Sequence, residues 1–336
     1  VRQLRELQAT DLTAVPEDPE QFLDLLGGPT LITVPGVTDQ RSRVVVTLLH
    51  GNEPSGLKAM IRYLRSGQQP VATLHLFIVS VSTALHPPMF THRQIPGVRD
   101  MNRTFRPPFD DTPGQLAEHI LCRISQLSPT VVVDIHNTSG AGPAFTVSPV
   151  LSEQHIALTG LFTHRMVVTD LQLGSLMEIT APHCPAITIE CGGALGAAAD
   201  ELAYTGLCRL ASVDNVFSWQ DMPPLDLYHH PVRLELVNDC SIAYDALLAE
   251  PADICLLPDV DRFNFGVADT DVCLGRVRRP DCLRLKAGAG YMPVDDYFRI
   301  LPDGSLHPAV PLKLFMVTTN ASIARSDCLL YAVKKG

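Results

Sequence analysis

Residues 44–53 read Val-Val-Val-Thr-Leu-Leu-His-Gly-Asn-Glu, and this run constrains the fold more than any other. A short, continuous, β-branched apolar run ended by a turn fits a strand buried on both faces. The run therefore predicts a buried strand over residues 43–49 that delivers His50 to its end. A tight Gly51-Asn52 turn follows, and Glu53 stands three residues after the histidine. Imidazole and carboxylate are both good ligands for Zn2+. Open α/β sheets bind ligands at the carboxyl ends of their strands. The pair points to a catalytic metal site that still needs another ligand.

Strand-like and helix-like segments alternate along the first two thirds of the chain. Strands are expected near residues 31–34, 43–49, 73–82, 130–136, 165–169 and 186–190. Helices are expected over Pro19–Leu26, from Pro54 to Gly67, from Thr112 onward, near 152–163 and over 196–217. Pro54 sits just inside its helix start and Gly67 ends that helix. Thr112 with Gln115 resembles a capping box, with Pro113 beside it. This alternation predicts an α/β fold with helices on both faces of the sheet. Beyond Pro223 the pattern changes to short β-rich runs broken by Gly, Pro and Asp. The expected organisation is a catalytic α/β domain over residues 1–223 and a smaller β-rich C-terminal domain over 224–336.

Composition removes several function classes. Of the 336 residues, 46% are hydrophobic and 18% charged, and no apolar run approaches a membrane span, so a compact soluble chain is expected. The N-terminal Val-Arg-Gln-Leu-Arg-Glu lacks the apolar core of a signal peptide, and the chain starts without Met, which suggests trimming. A cytoplasmic location is the default. Nine cysteines without a Cys-x-x-Cys pair read as reduced, mostly buried thiols rather than a disulfide framework. A net charge of −10 argues against nucleic acid. Against that background, residues 92–106 carry Arg93, Arg99, Arg103 and Arg106 against Asp100, a formal +3. They lie in a long loop, 83–111, and long loops in compact domains are usually functional. The local charge reads as a solvated surface or as an anion-binding loop.

Other predicted strands also end in ionisable groups. His136 closes Val-Val-Val-Asp-Ile-His, and Glu190 closes Ile-Thr-Ile-Glu. Asp134 lies two residues before His136, on the same side of the strand, where it can hold a ligating imidazole. A hydrolytic zinc needs three protein ligands and an open position. His50, Glu53 and His136 supply that set. Glu190 is the candidate base, or else an N-cap carboxylate for the next helix. His86, His92, His229 and His230 read as surface residues or as contacts to the ligands, and His183 with Cys184 as pocket lining.

The motifs His-Gly-Asn-Glu (50–53), Asp-Met-Asn-Arg-Thr-Phe (100–105), Asp-Ile-His-Asn-Thr (134–138) and Ile-Glu-Cys-Gly (189–192) occur in an order that resembles the succinylglutamate desuccinylase/aspartoacylase family, relatives of the zinc carboxypeptidases. The resemblance covers residues ~40–195. It implies a zinc carboxypeptidase-like domain with a mixed central sheet and one Zn2+ per chain held by His50, Glu53 and His136. It implies Glu190 as general base and proton donor. Asn102 and Arg103 would grip the substrate carboxylate, a task suited to the planar guanidinium fork. Arg93 would polarise the scissile carbonyl, with Arg99 as its rival. The sequence departs from aspartoacylases at residues 176–184, which hold no Arg or Lys. That argues against a dicarboxylic amino acid substrate. The C-terminal domain is expected to form a rim that selects small substrates.

The resulting expectation is a zinc-dependent amidohydrolase that removes the acyl group from a small anionic N-acyl amino acid. One alternative is a metallocarboxypeptidase acting on short peptides, and another is a non-catalytic carboxylate-binding protein with the same fold. A serine hydrolase is disfavoured because no Gly-x-Ser-x-Gly occurs. No nucleic-acid or membrane partner is expected, and the sequence leaves room for a homo-oligomer.

Overall fold

In the computed structural model, which describes residues 4–138, 142–194, 196–219, 223–237 and 239–335, the apolar run lies in a ten-residue strand, Thr38–Thr47. The leader reading and the boundary near residue 223 touch residues 1–3 and 220–222, which lie outside the described residues. The chain divides into two compact units. The first comprises Val1–Asn137, Ala144–Met166 and Gln172–Leu227, and the second Thr138–Pro143, Val167–Leu171 and Tyr228–Gly336.

In the first unit the strands are β1 (Arg5–Gln8), β2 (Thr30–Val34), β3 (Thr38–Thr47), β4 (Ala72–Ile78), β5 (Val132–Thr138), β6 (Phe145–Ser148) and, after the start of β7 (Arg165–Val168), β8 (Ala186–Gly193). The helices are α1 (Pro19–Leu26), α2 (Ser55–Ser66), α3 (Val81–Ala84), α4 (Thr112–Leu127), α5 (Glu153–Gly160) and α6 (Ala197–Ser212). The sheet order is β1-β2-β4-β3-β5-β8-β6. β3 runs parallel to both β4 and β5, whereas β2 is antiparallel to β4 and β6 to β8. The sheet is therefore mixed, and the carboxyl ends of β3 and β5 meet at one edge.

Side chains alternate across a strand. Val45, Leu76, Val133 and Ile135 pack with Leu23 of α1, Met60 of α2 and Leu207 of α6. Val44, Val46, Phe77 and Val132 face the other way, onto Ala117, Ile120 and Ile124 of α4. Both faces are thus covered by helices, which is why the run lacks a polar period. Val44, Val45 and Val46 are each 0% exposed.

Element ends shift slightly from the predicted positions. Pro54 is the N-cap of α2 rather than its first residue, and Gly67 closes the helix at φ 65°. The cap of α4 is Asp111, whose carboxylate accepts from Gly114 N at 2.8 Å, in place of the expected Thr112–Gln115 box. The predicted strand over 73–82 stops at Ile78 and passes into α3. α6 ends at Ser212 instead of 217, with a 3-10 turn at Val216–Ser218. Gly206 does not break α6. A Cβ there would lie 2.0 Å from the Phe162 ring, so glycine permits a close approach.

Among its described residues the second unit is built mainly of short strands, with one α-helix and a few 3-10 turns. After β9 (Asp226–His229), which starts in the first unit, come β10 (Val232–Leu236), β11 (Ile242–Tyr244), β12 (Ile254–Leu256), β13 (Gly266–Ala268), β14 (Gly275–Val277) and β15 (Leu283–Ala287). They are followed by β16 (Gly290–Met292), β17 (Phe298–Ile300), β18 (Ser305–Pro308), β19 (Leu312–Phe315), the helix α7 (Ala321–Ser326) and β20 (Leu330–Lys334). These form one sheet in the order β13-β19-β20-β10-β15-β16 and a second in the order β11-β12-β14-β18-β17. Leu234, Ile254, Leu285, Phe298, Leu306 and Leu314 share its core. Cys240 and Cys282 are joined in a disulfide, an exception to the expected reduced thiols, while the other seven cysteines are free. The separation of 42 residues between the bonded pair gave no local spacing signal.

Candidate active site

The site begins where β3 ends. Leu48 has φ 59°, a left-handed conformation that L residues seldom adopt, and it turns the chain sharply out of the sheet. His50 and Glu53 follow in the turn, with Glu53 N donating to His50 O at 3.3 Å. Gly51 lies beneath the long loop. A Cβ there would come within 2.8 Å of Ala84 N and His92 O, and Gly51 N donates to Arg93 O at 3.0 Å. Glycine is needed because the loop must pack this closely to bring Arg93 over the turn.

His50, Glu53 and His136 converge. Their ligand atoms all lie within 4.8 Å of one another. His50 Nδ1 is 2.9 Å from Glu53 Oε1, and His136 Nδ1 is 2.6 Å from Glu53 Oε2. The opposite nitrogen of each ring is held by an aspartate. His136 Nε2 donates to Asp134 Oδ2 at 2.7 Å, as the two-residue strand spacing predicts. His50 Nε2 donates to Asp100 Oδ1 at 3.0 Å. With Nε2 of both rings occupied, both Nδ1 atoms face the same carboxylate. All three residues are buried, at 3%, 6% and 2% exposure.

Charged groups crowd around them. Glu53, Asp100, Asp134 and Glu190 are acidic; Arg93 pairs with two of them, 2.9 Å from Asp100 Oδ2 and 3.6 Å from Glu53 Oε1, and Arg103 also acts on Asp100. Burial works against the charged forms, but the partners prevail. His50 and His136 hold the Glu53 carboxyl well below the usual range. His50 and Arg93 do the same to Asp100. Asp134 and Glu53 raise His136 well above an ordinary imidazole. Two buried imidazole Nδ1 atoms aimed at one buried carboxylate are a setting that suits a metal ion. Two imidazoles and a carboxylate, each ring anchored from behind, match the donor set of a hydrolytic zinc.

Glu190, on β8, is partly exposed, but its Oε2 is buried and has no hydrogen-bond partner among the described residues. Burial pushes its pKa up to about 8, with His136 and Arg93 pulling down and Glu53 and Asp134 pushing up. It therefore shares the electrostatic field of the cluster. Its neighbour across the ladder is Phe145 of β6. Glu190 is not a helix cap, since the N-cap of α6 is Gly196.

The basic loop divides into residues that reach the cluster and residues that do not. Arg93 Nε donates to Asp100 Oδ2 at 3.0 Å. Arg99 instead clasps Asp111 through Nε at 3.0 Å and Nη2 at 2.7 Å, bracing the start of α4. The structure thus brings Arg93, and not Arg99, to the cluster. Asn102 is buried beside it. Its Oδ1 accepts from Leu176 N at 2.9 Å, and its Nδ2 lies 3.4 Å from His136 Nε2. Arg103 Nη1 donates to Asn102 O at 2.8 Å.

His183 and Cys184 line a separate cavity of about 360 Å³ against Leu121 and Ile124, which contains none of the cluster residues. His86 and His92 pair edge to face at 4.8 Å. Among the described residues the other group with metal-ligating atoms in reach is Cys240, Asp253 and Cys282, whose two sulfurs are spent in the disulfide. Sequence reasoning counted Asp100 as the acid within a basic loop and as part of a motif, but gave it no role beside His50. It also missed Asn137, whose main-chain N lies 3.3 Å from Glu53 Oε2. The signal for Asp100 was its place at the head of Asp-Met-Asn-Arg.

No family model matches the chain, and no curated protein matches it. Solved structures do match. A succinylglutamate desuccinylase from Vibrio parahaemolyticus aligns over 90% of this chain and 85% of its own, with a TM-score of 0.58 at 14% identity. A succinylglutamate desuccinylase/aspartoacylase from Rhodobacter sphaeroides aligns over 91% and 89%, with a TM-score of 0.56 at 13% identity. The ectoine utilization protein from Ruegeria pomeroyi, solved with product bound, aligns over 91% and 88%, with a TM-score of 0.53 at 14% identity. At such identities the likeness is one of fold, and it spans nearly the whole of each chain. In its fold, this chain is similar to the succinylglutamate desuccinylase/aspartoacylase proteins.

Proposed function

We propose that the protein is a zinc-dependent amidohydrolase that removes the acyl group from a small N-acyl amino acid. The observation that carries this reading is the convergence of His50 Nδ1 and His136 Nδ1 on the Glu53 carboxylate, within the electrostatic reach of Glu190, whose buried Oε2 has no hydrogen-bond partner among the described residues. In this reading residues 1–223 form a zinc carboxypeptidase-like catalytic domain, and 224–336 a β-rich domain that restricts substrate size.

His50, Glu53 and His136 would hold one zinc ion. When bound, zinc supplies Lewis acidity, which activates water near neutral pH and polarises a carbonyl. Glu190 takes a proton from the attacking water and passes it to the leaving amine. A carboxyl whose pKa lies near the working pH suits both steps. Arg93, clamped by Asp100, donates to the oxygen that becomes negative as the carbonyl turns tetrahedral. Arg103 pairs with the substrate carboxylate, aided by Asn102 Nδ2. Arg99 is committed to Asp111 and supports the loop.

Metal analysis of protein purified without added metal tests the first part, with about one zinc per chain expected. A screen of N-acyl amino acids against dipeptides and tripeptides tests the second. Turnover confined to peptides would replace the deacylase reading with that of a metallocarboxypeptidase. Binding of carboxylates without any turnover would leave a binding protein of the same fold.

A further inference from the structure

We propose that Asn137 is a positioning residue that ties together the three chain segments carrying Glu53, His136 and Glu190. The inference rests on the hydrolytic reading above, and it assigns Asn137 no contact with substrate.

The amide side chain of Asn137 is buried, at 2% exposure, and all its partners belong to those segments. Its Oδ1 accepts from Ser55 N at 3.1 Å. Ser55 is the first residue of α2, two residues after Glu53, and the N-cap residue Pro54 offers no side-chain cap. Asn137 therefore caps a helix from outside it, satisfying one of the orphan N–H groups of the first turn. Its Nδ2 donates to Ser55 Oγ at 2.9 Å and to Gly192 O at 2.9 Å. Gly192 is two residues past Glu190 on β8, and its φ of 107° is one that glycine tolerates. The main-chain N of Asn137, next to His136, points at Glu53 Oε2.

The network continues outward in one direction. Ser55 Oγ donates to Asp200 Oδ1 at 2.6 Å, and Lys58 Nζ donates to Asp200 Oδ2 at 2.8 Å. Ser55 Oγ must therefore accept from Asn137, which fixes the amide orientation. Reversing the amide would set its oxygen against Gly192 O and its nitrogen against Ser55 N. Only a group with one acceptor and two donors in this arrangement serves all the partners. The packing beneath leaves no slack, because a Cβ at Gly56 would lie 2.1 Å from Thr47 Oγ1. The sheet ladder sets β3, β5 and β8 side by side, and Asn137 adds the side-chain tie that joins their ends at the site.

The test is Asn137→Asp, which keeps the shape and removes the two donors, compared with wild type and with Ile120→Val in α4 as a mildly destabilised control. In Asn137→Asp, kcat should fall about 10- to 100-fold with KM changed less than about threefold, and zinc affinity measured against a chromophoric chelator should weaken about tenfold. Asn137→Ala removes the acceptor of the Ser55 amide as well, and in that variant hydrogen exchange at Ser55 should speed up about fivefold or more. Ile120→Val should lower the melting temperature while leaving kcat and zinc affinity unchanged. A folded Asn137→Asp with wild-type kcat and zinc affinity overturns the proposal, as does a folded Asn137→Ala with wild-type Ser55 exchange. Should Asn137→Asp not fold, Ser55→Ala, which keeps the backbone donor and removes the hydroxyl relay, should lower kcat several-fold, and an unchanged kcat counts against the role. If wild type neither binds zinc nor hydrolyses N-acyl amino acids, the proposed function fails. Exchange at Ser55 and Gly193 in Asn137→Ala then still decides whether Asn137 joins the segments.

Discussion

Asp100 joins two parts of the site at once, accepting from His50 Nε2 at 3.0 Å through Oδ1 and from Arg93 Nη2 at 2.9 Å through Oδ2. Its Oδ1 also accepts from Asn102 N at 2.8 Å. One carboxylate thus orients a proposed metal ligand and the proposed oxyanion arginine. Asp100→Asn can accept from only one of the two. It should weaken zinc binding about 10- to 100-fold and lower kcat by at least as much. Competition with a chelator and steady-state kinetics at saturating zinc separate the two effects. Wild-type zinc affinity in this variant would remove Asp100 from the support of His50.

Glu190→Gln keeps the side-chain volume and loses the base. We expect kcat to fall by about 10²- to 10⁴-fold with zinc content unchanged. Activity equal to wild type would sink the general-base role.

The two arginines of the loop should behave differently. Arg93→Ala should lower kcat by about 10²- to 10³-fold, the typical cost of one oxyanion donor. Arg99→Ala removes the clasp on Asp111 and should chiefly lower stability, by about 1 kcal/mol, with kcat within about threefold of wild type. Kinetics and thermal melts of both variants check this, and the opposite ranking in kcat would give the oxyanion role to Arg99.

Metal removal should abolish activity and return it on adding zinc. The melting temperature should rise with free zinc concentration, because a ligand that binds only the folded state stabilises it by mass action. A melting temperature independent of zinc, in protein shown by analysis to start metal-free, contradicts a zinc site at His50, Glu53 and His136.

His75 gives a pH dependence away from the site. Burial, helped by Arg123 and opposed by Glu6, lowers its pKa from 6.5 to about 4. The unfolded chain therefore binds this proton more readily than the folded one. Stability is fully present above pH ~6.5 and is lost as pH falls through that window toward 4, by roughly 2–3 kcal/mol. In urea melts from pH 7 to 4, His75→Gln should lose less stability than wild type. Equal slopes would show that other groups govern the acid limb.

Much of this protein is set locally. The apolar runs at 44–49 and 131–135 make buried strands wherever they are placed, because a segment without a polar face must be covered on both sides. Gly67 at a left-handed helix end and the proline beside the start of α2 act through their own backbone preferences. So the sequence alone could place His50 and Glu53 just past a strand and Asp134 beside His136 from the strand period, whereas His136 and Glu190, expected at strand ends, lie inside β5 and β8, which run on to Thr138 and Gly193.

Other features depend on contacts between distant segments. That Asp100 faces His50, that Arg93 rather than Arg99 reaches the cluster, and that Asn137 caps α2 follow from how the 83–111 loop and β8 pack against the β3–α2 turn. The Cys240–Cys282 bond and the order of the short strands in the second unit are equally non-local. Periodicity and spacing report a residue's neighbours within about a turn of helix or two positions of strand. Which side chains from separate elements share a hydrogen bond is decided only when the whole sheet is assembled, and there the tertiary structure had the final word.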